Sequence, residues 1–317
     1  MTTDRTRRWF LRTSTAAGVS VGLGAPLLSE LLSPSPAFAA DHPDLAAMTG
    51  SDPFANTVAA VDRIGGMSRF VKRDSRVVVN ANTSFNLPGS NVEPVVVLAT
   101  LKMCLDAGAS EVWLAKGGKP EYWGRTPRSA EFAGVLDTTK VSEREFTVVE
   151  IPGAVALKEA HVDTHVLEAD VYLNVSVVKN HAGTNFTGAL KNAMGPCPHE
   201  PTNSFCHFGS APPERDKFYA NVGHLSQSIA DLNLIRKPDL CIVDATRFLV
   251  TKGPAGPGEL RTSDTVVAGT DPGAIDAYST RFLDLKPEDV KMIGMAQRLG
   301  VGTADLKQLR IEDGKTA

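Results

Sequence analysis

The sequence lacks several features that mark large classes of proteins. Its 317 residues carry no excess of basic charge, since 36 Asp and Glu face 33 Lys and Arg and the formal net charge is -3. Nucleic-acid-binding proteins normally carry a basic stripe, so we expect no nucleic-acid partner. Aromatic residues are few at 6%, but 42% of the residues are hydrophobic, which excludes a disordered chain and predicts a sizeable core.

Cysteine is also scarce. The four cysteines form no Cys-x-x-Cys pair, so we expect no iron–sulfur cluster. Cys104 and Cys241 lie in apolar patterns that are typical of buried core positions. Cys197 and Cys206 flank a loop with Pro and His, where they either form a disulfide, as an exported protein allows, or remain thiols.

Two motifs enclose a weakly apolar stretch near the start of the sequence. Arg7 and Arg8 form a twin-arginine pattern, and 37–39 reads Ala-Phe-Ala, a typical cleavage pattern. Glycines and a proline interrupt the stretch between them, which is too short to span a bilayer. We therefore predict a signal peptide over 1–39 that is cleaved after Ala39, and no stable membrane anchor. The twin-arginine export machinery would deliver the protein to the periplasm or the extracellular space.

The remaining sequence alternates between strand-like and helix-like patterns. Residues 40–51 are small and polar, which predicts a flexible start, and 52–317 then form a single α/β domain, with a division near residue 165 as the alternative. Strands are predicted over 76–80, 111–115, 146–151, 170–178, 239–245 and 265–269. Helices are predicted over 53–64, 93–107, 129–136, 225–232, 271–283 and 287–299.

The order of these elements predicts the fold class. Strand, helix and strand within 76–115 form a βαβ unit, which requires parallel strands and a right-handed crossover. The strand at 170–178 is apolar nearly throughout, as expected where both faces of a sheet are covered. We therefore predict an α/β fold in an open three-layer arrangement, a mostly parallel sheet with helices on both faces.

The segment after the strand at 170–178 carries the chemistry. Its candidate ligand-site residues are Lys179, His181, Thr187, Gly188, Lys191 and Asn192. Open α/β sheets bind ligands at the carboxyl ends of their strands, where this segment lies. His181 can exchange a proton near neutral pH, and the Gly- and Thr-rich turn offers backbone N–H groups to an anion. Lys191 is either an anion anchor or, if burial lowers its pKa, a nucleophile.

Two further groups are candidates for the same site. Asp244 and Arg247 follow another buried strand, which would bring them to the sheet edge near His181, either as ligand contacts or as an ion pair holding the next loop. His207 is a candidate metal ligand, because two cysteines and a second histidine lie close to it in the sequence. Imidazole and thiolate groups suit zinc or nickel.

Several short blocks spread along the chain carry a family resemblance. The blocks are 65–67 (Gly-Gly-Met), 178–181 (Val-Lys-Asn-His), 187–192 (Thr-Gly-Ala-Leu-Lys-Asn), 229–233, 236–240, 243–247, 253–256 and 270–276. On these blocks the sequence resembles the family catalogued as domain of unknown function 362. The resemblance implies an exported domain that elsewhere accompanies ferredoxin-type iron–sulfur modules. Because this chain has no ferredoxin module, the resemblance implies a redox-enzyme partner and not electron transfer by the chain itself.

A second resemblance is local. His181, Phe186, Gly188 and Lys191 have the spacing of the histidine-to-lysine segment of the nickel-pincer lactate racemase family, and His207 falls at its metal-binding histidine. The resemblance implies that His181 is an acid/base, that Lys191 attaches a metal-containing cofactor covalently, and that His207 binds the metal. The second catalytic histidine of that family is replaced here by lysines, so a two-base racemase mechanism is not implied.

Together, these features predict an exported enzyme or cofactor-binding protein that acts on a small anionic ligand, a carboxylate, around His181 and Lys191. The alternative, from a different class, is a non-catalytic accessory or binding partner of an exported redox enzyme with iron–sulfur clusters. The alternative predicts a broad exposed apolar surface.

Overall fold

The computed structural model describes residues 42–85, 87–211, 213–214 and 217–317. The predicted signal peptide therefore lies outside the described residues. The chain from His42 to Ala317 forms one compact unit. Within the described ranges, no helix has the length and apolar character needed to cross a membrane.

The described residues form twelve strands and eleven α-helices. The strands are β1 (Leu45–Thr49), β2 (Arg76–Ala81), β3 (Glu111–Leu114), β4 (Lys140–Val141), β5 (Phe146–Glu150), β6 (Glu159–Asp163), β7 (Val171–Val177), β8 (Lys179–His181), β9 (Asn185–Thr187), β10 (Leu240–Leu249), β11 (Leu260–Gly269) and β12 (Ile311–Lys315). The helices are α1 (Pro53–Arg63), α2 (Pro94–Asp106), α3 (Pro120–Trp123), α4 (Arg128–Glu131), α5 (Ala133–Thr138), α6 (Thr164–Glu168), α7 (Ala189–Asn192), α8 (Ser204–Phe208), α9 (Val222–Leu232), α10 (Pro272–Ser279) and α11 (Lys291–Arg298).

Eight strands form the main sheet, in the order β12-β1-β11-β10-β7-β2-β3-β4. Only β11 runs against its neighbours in this sheet, pairing antiparallel with β1 and β10, while all other neighbouring pairs are parallel. The crossover from β2 to β3 runs through α2, as the sequence predicts. Every residue of the central strand β7 is buried, because helices cover both of its faces. The prediction of a mostly parallel sheet is confirmed.

Two side chains on neighbouring strands show that the sheet has a helix layer on each face. Asp244 on β10 accepts a hydrogen bond from the backbone N–H of Glu93, at the start of α2. Asn174 on β7 donates to the carbonyl of Ala189, at the start of α7. Asn174 pairs in register with Cys241, an odd number of positions before Asp244, so alternation puts the two side chains on opposite faces. Helices α1 and α2 pack on one face and α7, α9, α10 and α11 on the other, which confirms the three-layer arrangement.

The start of the domain differs from the prediction. The segment 45–49, expected within a flexible start over 40–51, forms β1, which is buried and pairs with β11 on one side and β12 on the other. Thr49 is its one β-branched residue, and Leu45, Ala46, Ala47 and Met48 are not of the types that usually signal a strand. The strand forms because two partners from the far end of the chain enclose it.

One predicted strand lies in a different place. The segment 146–151 forms β5, which pairs with β6 in a separate two-stranded antiparallel sheet and not in the main sheet. A second small sheet, β8 with β9, continues directly from β7 and turns the chain back toward α7. This β8–β9 hairpin carries the segment with the candidate site residues to the carboxyl edge of the main sheet.

Candidate functional site

A cavity of about 510 Å³ lies at the carboxyl ends of three neighbouring strands. Asn80 and Asn82 line it at the end of β2, Lys116 lines it just after β3, and Lys179 and His181 line it in the continuation of β7. The volume is in the range of small-molecule sites, and the carboxyl edge is where open α/β sheets bind ligands. The location therefore agrees with the sequence-based prediction.

The structure brings most of the predicted site residues together. Those that line the cavity are Lys179, His181, Thr187, Lys191, Asn192 and His207. Gly188, Asp244 and Arg247 are absent from the described lining residues. The three residues of the local histidine-to-lysine resemblance, His181, Lys191 and His207, thus share one cavity although His207 is distant from His181 in the sequence.

The charge of the cavity has one sign. Its lining contains four cationic side chains, Lys116, Arg144, Lys179 and Lys191, and no Asp or Glu among the residues that the structure describes. None of the four forms a salt bridge within the described ranges. A partly dehydrated cation without a counter-ion is costly, so this lining favours an anionic ligand.

Lys179 is the most deeply buried of these cations. Its side chain is only 1% exposed, its Nζ donates to the carbonyl of Ser90, and the ammonium lies 4.3 Å from the centroid of the Phe85 ring. Burial, and then the positive charge of Lys191, lower the pKa of Lys179 well below its usual value. A carbonyl and an aromatic face only partly replace the water that the ammonium has lost.

Lys191 reaches the cavity from the first turn of α7 and is half-buried. Its Nζ lies 3.6 Å from the Sδ of Met194, which is a weak acceptor. Burial lowers the pKa of Lys191 to about 8, so a fraction of the amine is unprotonated near neutral pH. This side chain can therefore hold an anion as an ammonium or react as an amine.

His181 has a defined tautomer. Its Nδ1 accepts a hydrogen bond of 3.0 Å from the backbone N–H of Gly183, so Nδ1 carries no hydrogen and the neutral ring carries it on Nε2. Burial, followed by the charges of Lys191 and Lys179, lowers the pKa of His181 well below its usual value. Taking a proton at Nδ1 would break the bond to Gly183. The contact therefore favours a hydrogen-bond donor at Nε2 over a proton acceptor.

His207 faces the same cavity but does not assemble a metal site with its neighbours. Its ring stacks on Phe218 at 3.7 Å, and its Nδ1 lies 3.1 Å from the carbonyl of Phe218. Burial lowers the pKa of His207 to about 4. His199, the second histidine of this part of the sequence, also lines the cavity, but 76% of its side chain is exposed. Among the described residues, no three His, Cys, Asp or Glu side chains are placed to hold a metal ion.

Asn192 lines the cavity and also fastens α7 to the sheet. Its Nδ2 donates to the carbonyl of Asn80 at 2.9 Å and to Oδ1 of Asn174 at 2.7 Å. In return, Nδ2 of Asn80 donates to the carbonyl of Asn192 at 2.8 Å. These buried amide bonds fix the position of the helix turn that carries Lys191.

Gly188 has a packing role and does not line the cavity. The carboxylate of Asp276 accepts the backbone N–H groups of Ala189 and Leu190 at 2.6 and 2.9 Å. A Cβ on Gly188 would lie 2.2 Å from Oδ1 of Asp276, so only glycine lets this carboxylate approach. The protein's own Asp276 thus takes the first two N–H groups that follow the turn, and these two are not free for a ligand.

Asp244 and Arg247 lie on the other side of the sheet, so placing them in this cavity was wrong. Asp244 accepts from the backbone N–H of Glu93 at 2.6 Å and from the hydroxyl of Thr246 at 2.6 Å. Burial and then the charge of Glu93 raise the pKa of Asp244 to about 6. Arg247 pairs with Glu93 at 2.9 Å and not with Asp244. The alternation of side chains along β10 directs Asp244 toward α2.

The cysteines remain thiols. All four are buried and free, so of the two alternatives for Cys197 and Cys206 the structure has the thiols. Burial raises the pKa of both, to about 12 for Cys206, so neither is a thiolate at neutral pH.

The polar residues of the cavity that sequence reasoning missed include Lys116, Arg144, Asn82 and Asn203. The Arg144 guanidinium bonds to the carbonyls of Cys197 at 2.9 Å and Ala115 at 3.3 Å, which joins the end of β3 to the loop after α7. Oδ1 of Asn82, Oδ1 of Asn203 and the hydroxyl of Thr187 are buried without a hydrogen-bond partner in the described structure. Such atoms at a cavity wall indicate polar groups of a ligand.

Comparisons with known proteins agree with the family resemblance of the sequence blocks. Over 254 residues the chain is 26% identical to a thylakoid-associated protein of Synechocystis sp., which covers 76% of this chain and 73% of that protein. The lactate racemase apoprotein of Thermoanaerobacterium thermosaccharolyticum is a structural neighbour with a TM-score of 0.39 and 14% identity, matched over 63% of this chain and 49% of the racemase, about half its length. The family model described as "Domain of unknown function (DUF362)" matches residues 77–281. Because this match covers more than half of the sequence, the chain belongs to the DUF362 family.

Proposed function

We propose that this protein binds a small anionic ligand, a carboxylate, in the cavity at the carboxyl edge of the sheet, and that it acts there after export as an enzyme or a cofactor-binding protein. One observation carries the proposal: four cationic side chains line the cavity and no carboxylate is among its described lining residues. An anionic ligand supplies the missing counter-charge, and the partly dehydrated site strengthens that attraction.

Each of the central residues has a distinct part in this proposal. Lys191 faces the ligand from α7 and contacts its anionic group or reacts with it as an amine. Lys179, whose Nζ donates to the carbonyl of Ser90, adds a second cationic group to the cavity lining. His181 donates a hydrogen bond from Nε2, since Nδ1 is held by Gly183. The unpartnered hydroxyl of Thr187 supplies one further polar contact.

A metal-containing cofactor, if the protein uses one, has to bring most of its own metal ligands. Among the described residues no three metal-ligating side chains are grouped, so the chain by itself does not fit a metal ion. One imidazole, His207, and one amine, Lys191, fit a cofactor that is attached through the lysine. Such a group would supply electrophilic chemistry, while the cavity cations would orient the substrate.

The proposal is tested by isothermal titration of acetate, lactate and pyruvate into the purified protein. We expect binding of at least one of these acids, weakened tenfold or more by Lys191→Met, which corresponds to about 1.4 kcal/mol. Lys102→Met is the matched control, since it removes a lysine that lies on α2 and pairs with Asp106. Equal binding by the wild type and Lys191→Met, or no binding of any acid, would contradict the proposal.

A further inference from the structure

The four cations of the cavity form two pairs that come from different strand ends. Lys116 follows β3, and the Arg144 guanidinium lies beside it, 3.3 Å from the carbonyl of Ala115. Lys179 continues β7, and Lys191 approaches it from α7. We call these the β3 pair (Lys116 and Arg144) and the β7 pair (Lys179 and Lys191).

The sheet holds the two pairs apart. Strand β2 lies between β7 and β3, and neighbouring strands are about 4.8 Å apart, so the backbones of β3 and β7 are separated by about 10 Å. In the register of the sheet, Leu114 pairs with Val79, and Val79 pairs with Leu173. Lys116, two residues after Leu114, is therefore level with Val175, four residues before Lys179. The end of β2, with Asn80 and Asn82, lines the cavity between the pairs.

Each pair is electrostatically unsatisfied by itself. The positive charge of Lys191 adds to burial in lowering the pKa of Lys179, and the positive charge of Arg144 adds to burial in lowering the pKa of Lys116. Two like charges in a partly dehydrated site repel each other, and one nearby anion relieves both. Because the two pairs stand on strands about 10 Å apart, a ligand with one anionic group at each end can neutralise both pairs without the side chain of either pair reaching across β2.

The middle of the cavity is polar but uncharged. Oδ1 of Asn82 has no hydrogen-bond partner in the described structure. Asn80 and Asn192 also line the cavity, and each donates from its side-chain amide to the backbone carbonyl of the other. This lining suits an uncharged polar segment of a ligand and offers no charged side chain as a third partner.

We propose that the ligand is an elongated dianion, with one anionic end on the β3 pair and the other on the β7 pair. This inference rests on the proposed function, because it assumes that the cavity binds anions, and it names the class of ligand. The cavity volume of about 510 Å³ accommodates a molecule of this length.

The test compares dicarboxylates of increasing length with a monocarboxylate. Succinate, glutarate, adipate, pimelate and suberate are titrated into the full protein by calorimetry, with octanoate as the monoanion of the same chain length as suberate. We expect affinity to peak at one dicarboxylate and to exceed that of octanoate tenfold or more. Lys116→Met and Lys191→Met should each weaken the binding of this dicarboxylate tenfold or more. The binding of octanoate should be weakened by only one of these two substitutions.

The outcomes separate this inference from the proposed function. The dianion proposal is wrong if Lys116→Met leaves the affinity for the best dicarboxylate unchanged, or if octanoate binds as tightly as that dicarboxylate. In either case, weaker binding by Lys191→Met would still support the proposed binding of anions. If no acid binds, both proposals are wrong. Lys102→Met serves again as the control. Thermal unfolding checks that each variant is folded. We expect Lys116→Met and Lys191→Met to fold, because both lysines are half-buried and have no carboxylate partner in the described structure.

Discussion

Two lysines of this chain show how the surroundings of an ammonium decide its role. Lys102 on α2 is paired with Asp106 at 2.7 Å and is partly exposed, so its charge is compensated. Within the described ranges, Nζ of Lys191 has the thioether sulfur of Met194 as its hydrogen-bond partner and forms no salt bridge, and burial lowers its pKa to about 8. The same residue type is thus a surface ion-pair partner in one place and an uncompensated cation in the other, and only the second is available to a ligand.

The pKa of Lys191 predicts a pH dependence of carboxylate binding. Below pH 8 the free protein carries Lys191 as an ammonium, and affinity should be constant. A bound carboxylate favours the ammonium and raises its pKa, so affinity should fall by up to tenfold per unit as the pH rises above 8. Titration calorimetry at several pH values between 6 and 10 measures this. The Lys191→Met variant should lose the decline near pH 8, and a decline that persists in it would contradict the assignment.

At the scale of elements, most polar residues of the family blocks position the backbone. Asp231 on α9 accepts the backbone N–H groups of Ala156 and Leu157 at 2.7 and 2.8 Å, which holds the loop before β6. Asn233, just after α9, donates to the carbonyl of Leu190 at 2.9 Å. Asp231 and Asn233 therefore fix the positions of α7 and its neighbours through hydrogen bonds, whereas the blocks at 178–181, 187–192 and 253–256 reach the cavity.

The contact between Gly188 and Asp276 predicts a stability defect. In Gly188→Ala the new methyl group would push the Asp276 carboxylate away from the N–H groups of Ala189 and Leu190. Leaving two buried donors without an acceptor should lower the free energy of unfolding by about 2–4 kcal/mol. Urea unfolding measures the change.

A second glycine provides the control for that substitution. Gly134 lies in α5 with open space where a Cβ would be, so Gly134→Ala should be neutral or stabilising by up to about 1 kcal/mol. An equal free energy of unfolding for Gly188→Ala and the wild type would show that the contact with the Asp276 carboxylate does not stabilise the fold.

The elements that the sequence predicted correctly have a strong local signal. Helix α1 has an Asp52 N-cap, Pro at its first position and a glycine pair after its end, and the predicted helix over 53–64 matches Pro53–Arg63 closely. Strand β1 has no such signal, since its five residues depend on partners that follow much later in the chain. Local patterns therefore identify elements that are stabilised within themselves, and they miss elements that exist through tertiary pairing.

The sequence predicted where the candidate site lies better than it predicted which residues line it. The rule that ligands bind at the carboxyl ends of parallel strands located the cavity from the segment around His181. Lys116 and Arg144 were missed because they precede that segment in the chain and reach it only through the strand order β7-β2-β3-β4. Asp244 was assigned to the wrong face because strand alternation cannot be applied before the register of β10 and β7 is known.

At the scale of the whole molecule, the twin-arginine pattern predicts export. Replacing Arg7 and Arg8 together by Lys should leave the full-length precursor in the cytoplasm, because this export route reads the arginine pair. Cell fractionation with immunoblotting measures the distribution and the size of the protein. Arg5→Lys, next to the motif, is the control and should be exported like the wild type. Normal export of the double variant would contradict the prediction.

The position of β1 in the sheet has a consequence for biosynthesis. Thr49 on β1 shares a hydrogen bond with Thr265 on β11, 216 residues later in the chain. While the ribosome is still making the intervening residues, the backbone groups of β1 have no strand to pair with. The sheet can close only after β11 emerges, and such long-range pairing is slow. The apolar segment 45–48 therefore waits for its strand partners until most of the chain has been made, which gives a holding chaperone a reason to cover it.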